Sequence, residues 1–246
     1  MQSYTATGIT LLVRKYRGSE RIATFYTRES GKVEAVVSGV GKPGSKLAGA
    51  LEPFTLSRLF FNHGRSLERL TQAQVMEVWS RIAQEVTSYG YGAWIAELTA
   101  RATEPGEPNP ELFTTLEEHL RALNEGASSP VVAAAYGLVM LEHLGVAPVV
   151  DRCARCGGRP TGIDWYDAEA GGLVCAACRP SAADLVISPS HRALLRGLRR
   201  MATDRLHMLH PSDTEIRQIL QLLRRHIAFH LGFTLKSDGF LSQLTA

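Results

Sequence analysis

Four cysteines stand in two close pairs, Cys153-Ala-Arg-Cys156 and Cys175-Ala-Ala-Cys178, with 18 residues between the pairs. A two-residue spacer lets both thiolates of a pair point at one ion, and a hairpin between the pairs would bring all four together. Four thiolates at about 2.3 Å satisfy a tetrahedral Zn²⁺ and leave no open position, so the expectation is one structural zinc ion. Nearby Arg152, Arg155, Arg159 and Arg179 would favour the thiolate forms. An iron–sulfur centre would use the same ligands, and redox pairs or unligated cysteines share the spacing as well. Two such pairs in a chain of 246 residues are not the disulfide framework of a small secreted domain.

The second pattern is basic. Arg14, Lys15, Arg17, Arg21, Arg28, Lys32, Lys42 and Lys46 fall in or beside turns of the first 50 residues, with Tyr16 and Tyr26 among them. Lysine and arginine contact phosphates and exposed aromatics stack bases, so this set reads as a nucleic-acid surface. A second basic group is Arg196, Arg199, Arg200, Arg224 and Arg225, with Lys236. The formal net charge is only +3, but it is unevenly spread: +5 over residues 1–80, −6 over 81–149 and +4 over 150–246. Two positive regions flanking an acidic one suit an anionic polymer, although solvated faces can also sample charge unevenly.

Catalytic patterns do not assemble. Gly39-Val-Gly-Lys42-Pro-Gly44-Ser-Lys46 lacks the Gly-Lys-Ser/Thr ending of a phosphate-binding loop and contains a proline. Glu117 and Glu118 are adjacent and face different directions on a helix. His226 and His230 share a helix face but have no third ligand or intervening glutamate in the metalloprotease pattern. No Gly-x-Ser-x-Gly elbow occurs. The N-terminus has no signal-peptide core, and the longest apolar run, residues 130–141, is too short to span a bilayer. The expected location is the cytoplasm.

The elements that must position these residues begin with strands. Valine-rich and alternating runs at residues 5–13, 21–27, 32–37, 54–61 and 67–70 fit a small five-stranded closed barrel. An oligonucleotide-binding (OB) type barrel is the natural candidate, though the pattern alone does not choose it over an SH3-like one. From Thr71 the spacing of Val75, Val78, Trp79, Ile82 and Val86 predicts a helix, which Gly90 and Gly92 would interrupt. Helices follow over residues 93–102, 112–124 and 131–144, the last apolar nearly all round. Ser190 and Ser212 are candidate caps for two more, the second carrying a stripe of Ile216, Ile219, Leu220, Leu223, Ile227 and Leu231. The expected architecture is therefore α+β and multidomain: a barrel over residues 1–71, a mostly helical domain over 72–246, and a four-cysteine module inserted at 150–180.

Several of these residues occur together in a known family. Gly8-Ile-Thr-Leu-Leu-Val-Arg14, Ser19-Glu-Arg-Ile22, Thr27-Arg-Glu-Ser-Gly-Lys-Val33, Lys42-Pro-Gly-Ser-Lys46 and Leu51-Glu-Pro-Phe54 resemble the start of the bacterial RecO recombination-mediator family. The resemblance resumes at Leu144-Gly145, Pro148, Cys153-x-x-Cys156-Gly157, Gly172-Leu-Val-Cys175 and Leu235-Lys-Ser237. It implies an N-terminal OB-fold, a helical domain and a zinc module, and a function without covalent catalysis. It further implies binding of single- and double-stranded DNA, annealing of complementary strands, and help in loading RecA onto DNA coated by single-strand binding protein. The implied partners are RecR and the acidic C-terminal tail of the single-strand binding protein. The resemblance makes Arg28, Lys42 and Lys46 DNA-contact candidates; family members often carry another basic residue near Gly41. A zinc-ribbon factor of transcription or translation would share the barrel, the basic charge and the cysteines, but not the annealing activity.

Overall fold

The computed structural model describes residues 3–40, 45, 47–160 and 162–244. The chain divides into two compact units, Met1–Glu125 and Gly126–Ala246.

In the first unit, β1 (Ser3–Lys15), β2 (Arg21–Thr27), β3 (Gly31–Val37), β4 (Thr55–Asn62) and β5 (Glu68–Val78) close into a barrel in the order β1-β2-β3-β5-β4. All neighbouring pairs are antiparallel except β3 with β5, which is parallel through Ala35–Val37 and Glu68–Leu70. Strict alternation builds the interior: Val33, Ala35 and Val37 point inward from β3, with Ala23, Phe25, Leu59, Phe61 and Leu70 from its neighbours. The β2–β3 turn depends on Gly31, whose φ of +62° favours glycine and whose missing Cβ leaves room for the Glu107 carbonyl. A bulge between Thr10 and Leu12 lets β1 bend and pair with both β2 and β4.

The expected helix from Thr71 is a strand as far as Val78. Its apparent stripe is not a buried one: Val75, Val78 and Val86 are 40%, 47% and 60% exposed, and only Trp79 and Ile82 go inside. Pairing with β4 satisfies the backbone of these residues, and two register shifts disguise the alternation. Helices α1 (Ser80–Gln84), α2 (Val86–Ala102) and α3 (Pro110–Asn124) complete the unit. Helix α2 runs straight through Gly90 and Gly92. Gly92 is there for packing: a Cβ would lie 3.0 Å from both Ile82 and Phe54. Asn109 caps α3 by accepting from the Leu112 amide, and Pro110 fits the first turn.

The second unit centres on α4 (Ser129–His143), buried nearly all round as its composition predicts. Around it pack α5 (Pro189–Arg200) and α6 (Asp213–His230), followed by α7 (Lys236–Leu244). Ser212 caps α6 in a reciprocal box with Glu215. Helix α5 begins earlier than expected, on a box formed by Ser188 and His191 rather than on Ser190. Between α4 and α5 a small sheet, β6 (Asp164–Asp167), β7 (Gly172–Val174) and β8 (Val186–Ile187), is ordered β7-β6-β8. Among the described residues, no helix is long and apolar enough to cross a membrane.

Candidate metal centre and basic surfaces

The β6–β7 hairpin folds the chain between the two cysteine pairs back on itself. An Ala154 amide donating to the Leu173 carbonyl at 2.7 Å ties the first pair to β7. The first pair sits on a tight knuckle closed by the Gly157 amide donating to the Cys153 carbonyl, with Gly157 at φ +73°. The second pair spans a single 3₁₀ turn, Ala176–Cys178. All four Sγ atoms then lie within 4.8 Å of one another, and Cys156 and Cys175 are 3.9 Å apart. Tetrahedral zinc with bonds of about 2.3 Å requires sulfurs about 3.8 Å apart, so the donor set fits such an ion. Cys153 is buried, which opposes ionisation. Backbone groups around Cys156, Cys175 and Arg155 overcome this and hold its thiol down at about 6.

Two of the arginines near the cysteines, Arg155 and Arg179, have other partners. Arg155 donates twice to Asp167, at 2.9 and 2.7 Å, and also reaches Glu169. Arg179 donates to the Ala183 carbonyl through Nε and Nη2 and lies over the Trp165 ring, 4.5 Å from its centre. These contacts brace the loops that present the thiolates. A buried pair, Arg192 with Asp164, anchors β6 to α5.

The basic residues of the barrel separate into two groups. Arg14, Lys15 and Arg17 are exposed around the β1–β2 turn, and Arg21 stands opposite Lys15 in the ladder. Arg17 lies over the exposed Tyr16 ring. Glu34 is the nearest acid to Arg14, 3.8 Å away. Ser38, which opens the segment leading to Lys42 and Lys46, bonds Glu20 at this same end. Lys42, Lys46 and Gly41 themselves lie outside the described residues.

Arg28 and Lys32 occupy the opposite end of the β2–β3 hairpin. Arg28 pairs with Glu117 at 3.3 Å and covers Phe113. Lys32 donates to the carbonyls of Ala100 and Thr103, capping the end of α2. Tyr26 is core, stacked on Phe113, and burial pushes its phenol up to about 12.

Most of the C-terminal arginines are paired with acids. Arg196 bonds Asp151 at 2.5 Å and Arg199 bonds Glu142 at 3.1 Å, while Arg224 forms an ion pair with Asp238, 2.8 Å away. Arg225 grips both oxygens of Asp184, and its hydrogen bonds hold that carboxyl down at about 2. Arg200 is exposed beside Arg196 and Arg199, around a shallow recess of about 160 Å³. Arg58, Arg65 and Arg69, outside both basic sets named from the sequence, are also exposed, on β4, β5 or their connection. The signal was available: Arg58 alternates with buried Ser57 and Leu59, and Arg69 immediately precedes buried Leu70.

His226 is neither a metal ligand nor exposed. Its Nε2 donates to the Val146 carbonyl at 2.6 Å and its Nδ1 accepts from the Tyr166 hydroxyl at 2.9 Å. Burial holds this imidazole neutral, down at about 4.

Two family models together span almost the whole chain: Recombination protein O N terminal over residues 1–79 and Recombination protein O C terminal over residues 83–239. Among curated relatives, the DNA repair protein RecO of Pelotomaculum thermopropionicum is 33% identical over 244 residues, covering 99% of this chain and 95% of the relative. The RecO of Myxococcus xanthus is 34% identical over 246 residues, covering 99% of each. That of Listeria monocytogenes is 35% identical over 171 residues, covering 70% of this chain and 67% of its own.

Proposed function

The chain belongs to the RecO family of DNA repair and recombination proteins, whose work is binding rather than catalysis, and from that premise we propose that it is a recombination mediator. In this reading it binds single- and double-stranded DNA, anneals complementary strands and helps load RecA onto strands covered by single-strand binding protein. RecR and the acidic tail of the single-strand binding protein are its partners, and it works in the cytoplasm at the nucleoid. The end-to-end likeness to curated RecO proteins carries this proposal.

The barrel is read as an OB-fold on the strength of its closed β1-β2-β3-β5-β4 order. The exposed Arg14, Lys15 and Arg17, with Arg21, neutralise one strand's phosphates, and Lys42 and Lys46 are assigned the same role from the sequence. Arg28 and Lys32 contribute mainly by shaping the barrel's other end. Arg196, Arg199, Arg200, Arg224 and Arg225 form the second surface, where phosphates compete with carboxylates already in place. Base pairing then supplies sequence specificity, because phosphate contacts do not. The cysteine centre is read as a structural Zn²⁺ site: its sulfur spacing fits, and four thiolates leave no position for substrate.

The test is annealing of two complementary fluorescent oligonucleotides, bare and then coated with single-strand binding protein, across a salt series. Acceleration that falls steeply with salt under both conditions is expected. Reversing Lys42 and Lys46 to Glu is expected to weaken binding to unrelated sequences alike. Binding without acceleration would favour a zinc-ribbon factor of transcription or translation, and neither binding nor annealing would end the proposal.

A further inference from the structure

The outer face of the cysteine module's sheet carries an apolar row. Trp165 stands directly opposite Val186 in the β6–β8 ladder, so the two side chains share a face. Ile163, two residues before Trp165 and just outside β6, is also apolar and exposed. Ile163 and Val186 are well exposed and Trp165 is half-buried. The Arg179 guanidinium lies over the indole, and its own orientation is fixed by two hydrogen bonds to Ala183, at 3.1 and 2.9 Å. Arg179 follows Cys178 directly, so the fold of the second cysteine pair sets its position. Exposed Arg152 and Arg159 add positive charge to the same module.

We propose that this Trp165–Arg179 stack is a platform for the bases of single-stranded DNA. A fixed planar guanidinium on a planar indole offers a surface for another π system, and its charge favours an anionic strand. An apolar peptide side chain instead seeks a concave groove. The inference rests on the reading that the chain binds DNA, but it adds a base-stacking site on the metal module to the phosphate-binding barrel.

The molecule carries its own reporter. Of its three tryptophans, Trp79 and Trp94 are each 1% exposed, so Trp165 is the one a ligand can reach. Titration with labelled oligothymidylate is followed by anisotropy and by tryptophan emission, alongside an abasic strand of the same length. Wild-type emission is expected to be quenched by oligothymidylate and not by the abasic strand, and the quench is expected to vanish in Trp165→Phe. Trp165→Ala is expected to weaken oligothymidylate on the order of 10-fold, with little effect on the abasic strand. Arg179→Lys, which keeps the charge but not the plane, is expected to weaken it several-fold. Unfolding midpoint and bound zinc are measured for every variant, and Trp165→Phe keeps the test valid if Trp165→Ala does not fold. Equal affinities across folded variants, with no quench although anisotropy reports binding, would overturn the platform and leave the DNA-binding reading intact. Quenching by poly-glutamate but not by DNA would assign the face to an acidic peptide and also overturn it. No binding by either signal would overturn both readings.

Discussion

The barrel and the cysteine module both hold short strands in register, by different means. The barrel's strands of 7 to 13 residues close on themselves around a core that includes Phe25, Leu59, Phe61 and Leu70. The module's strands have four, three and two residues, an amount of sheet that is not stable alone. There, Tyr166, Leu173, Val174 and Ile187 make a small buried core, and beside it four sulfurs converge that could hold a metal ion. The basic residues differ in a parallel way. Around the β1–β2 turn the described residues show one ion pair, Arg14 with Glu34 at 3.8 Å, whereas most of the arginines on α5 and α6 already have carboxylates. Charge in the first region is available for a ligand, and in the second it is largely spent on the fold.

The sharpest way to break the first comparison is to strip the ion that the cysteine centre is proposed to hold. Chelation is expected to unfold the module and expose the 150–180 segment to protease while residues 3–78 stay protected; mass spectrometry of the fragments reads both. Loss of the whole chain at once would mean that the barrel also depends on the ion. Next in size, Phe61→Ala is expected to destabilise the barrel by about 3–5 kcal/mol while leaving metal content unchanged. Denaturant unfolding and metal analysis check the two halves of that expectation.

A third effect is confined to the second unit. His226 is held neutral, with its titration lowered from the usual value near 6.5 to about 4. The unfolded chain therefore binds the proton more readily between these values. Stability from this site is complete above about pH 6.5 and is lost as pH falls toward 4, by about 2–3 kcal/mol. A His226→Phe variant, whose acid unfolding is measured beside wild type, should show a flatter pH dependence in that window. The smallest effect sharpens the charge comparison. Arg17→Ala is expected to reduce the salt slope of DNA binding by about one with little change in stability. Arg196→Ala is expected to lose at most about 1 kcal/mol of stability and to change the slope less.

The cysteine pairs and the Ser212 cap were legible because each is local: the two cysteines of a pair, and the cap and Glu215, lie three positions apart. The β-hairpins from β1 to β3 were legible through alternation and the Gly31 turn. Strand β5 was legible only at its start, residues 67–70; beyond that, bulges break its alternation, and Trp79 and Ile82 continue a helical spacing past its end. The pairing of the C-terminal arginines was hidden for a different reason. Arg196, Arg199 and Arg225 meet acids that lie 45, 57 and 41 residues away, a separation no window of sequence reveals. Similarly, Lys32 looked like a loop cation until the fold brought the α2 carbonyls to it, 68 and 71 residues along the chain.

The parallel seam between β3 and β5 has a kinetic consequence. The hairpins beside it can zip from their own turns, but Ala35 and Glu68 meet only after the intervening strand has crossed the barrel and returned. The entropy of closing that loop must be met before the seam's few bonds repay it. The barrel closes only when both this seam and the still longer-range β1–β4 seam have formed, and until the last of them does, two strands present open edges to other chains.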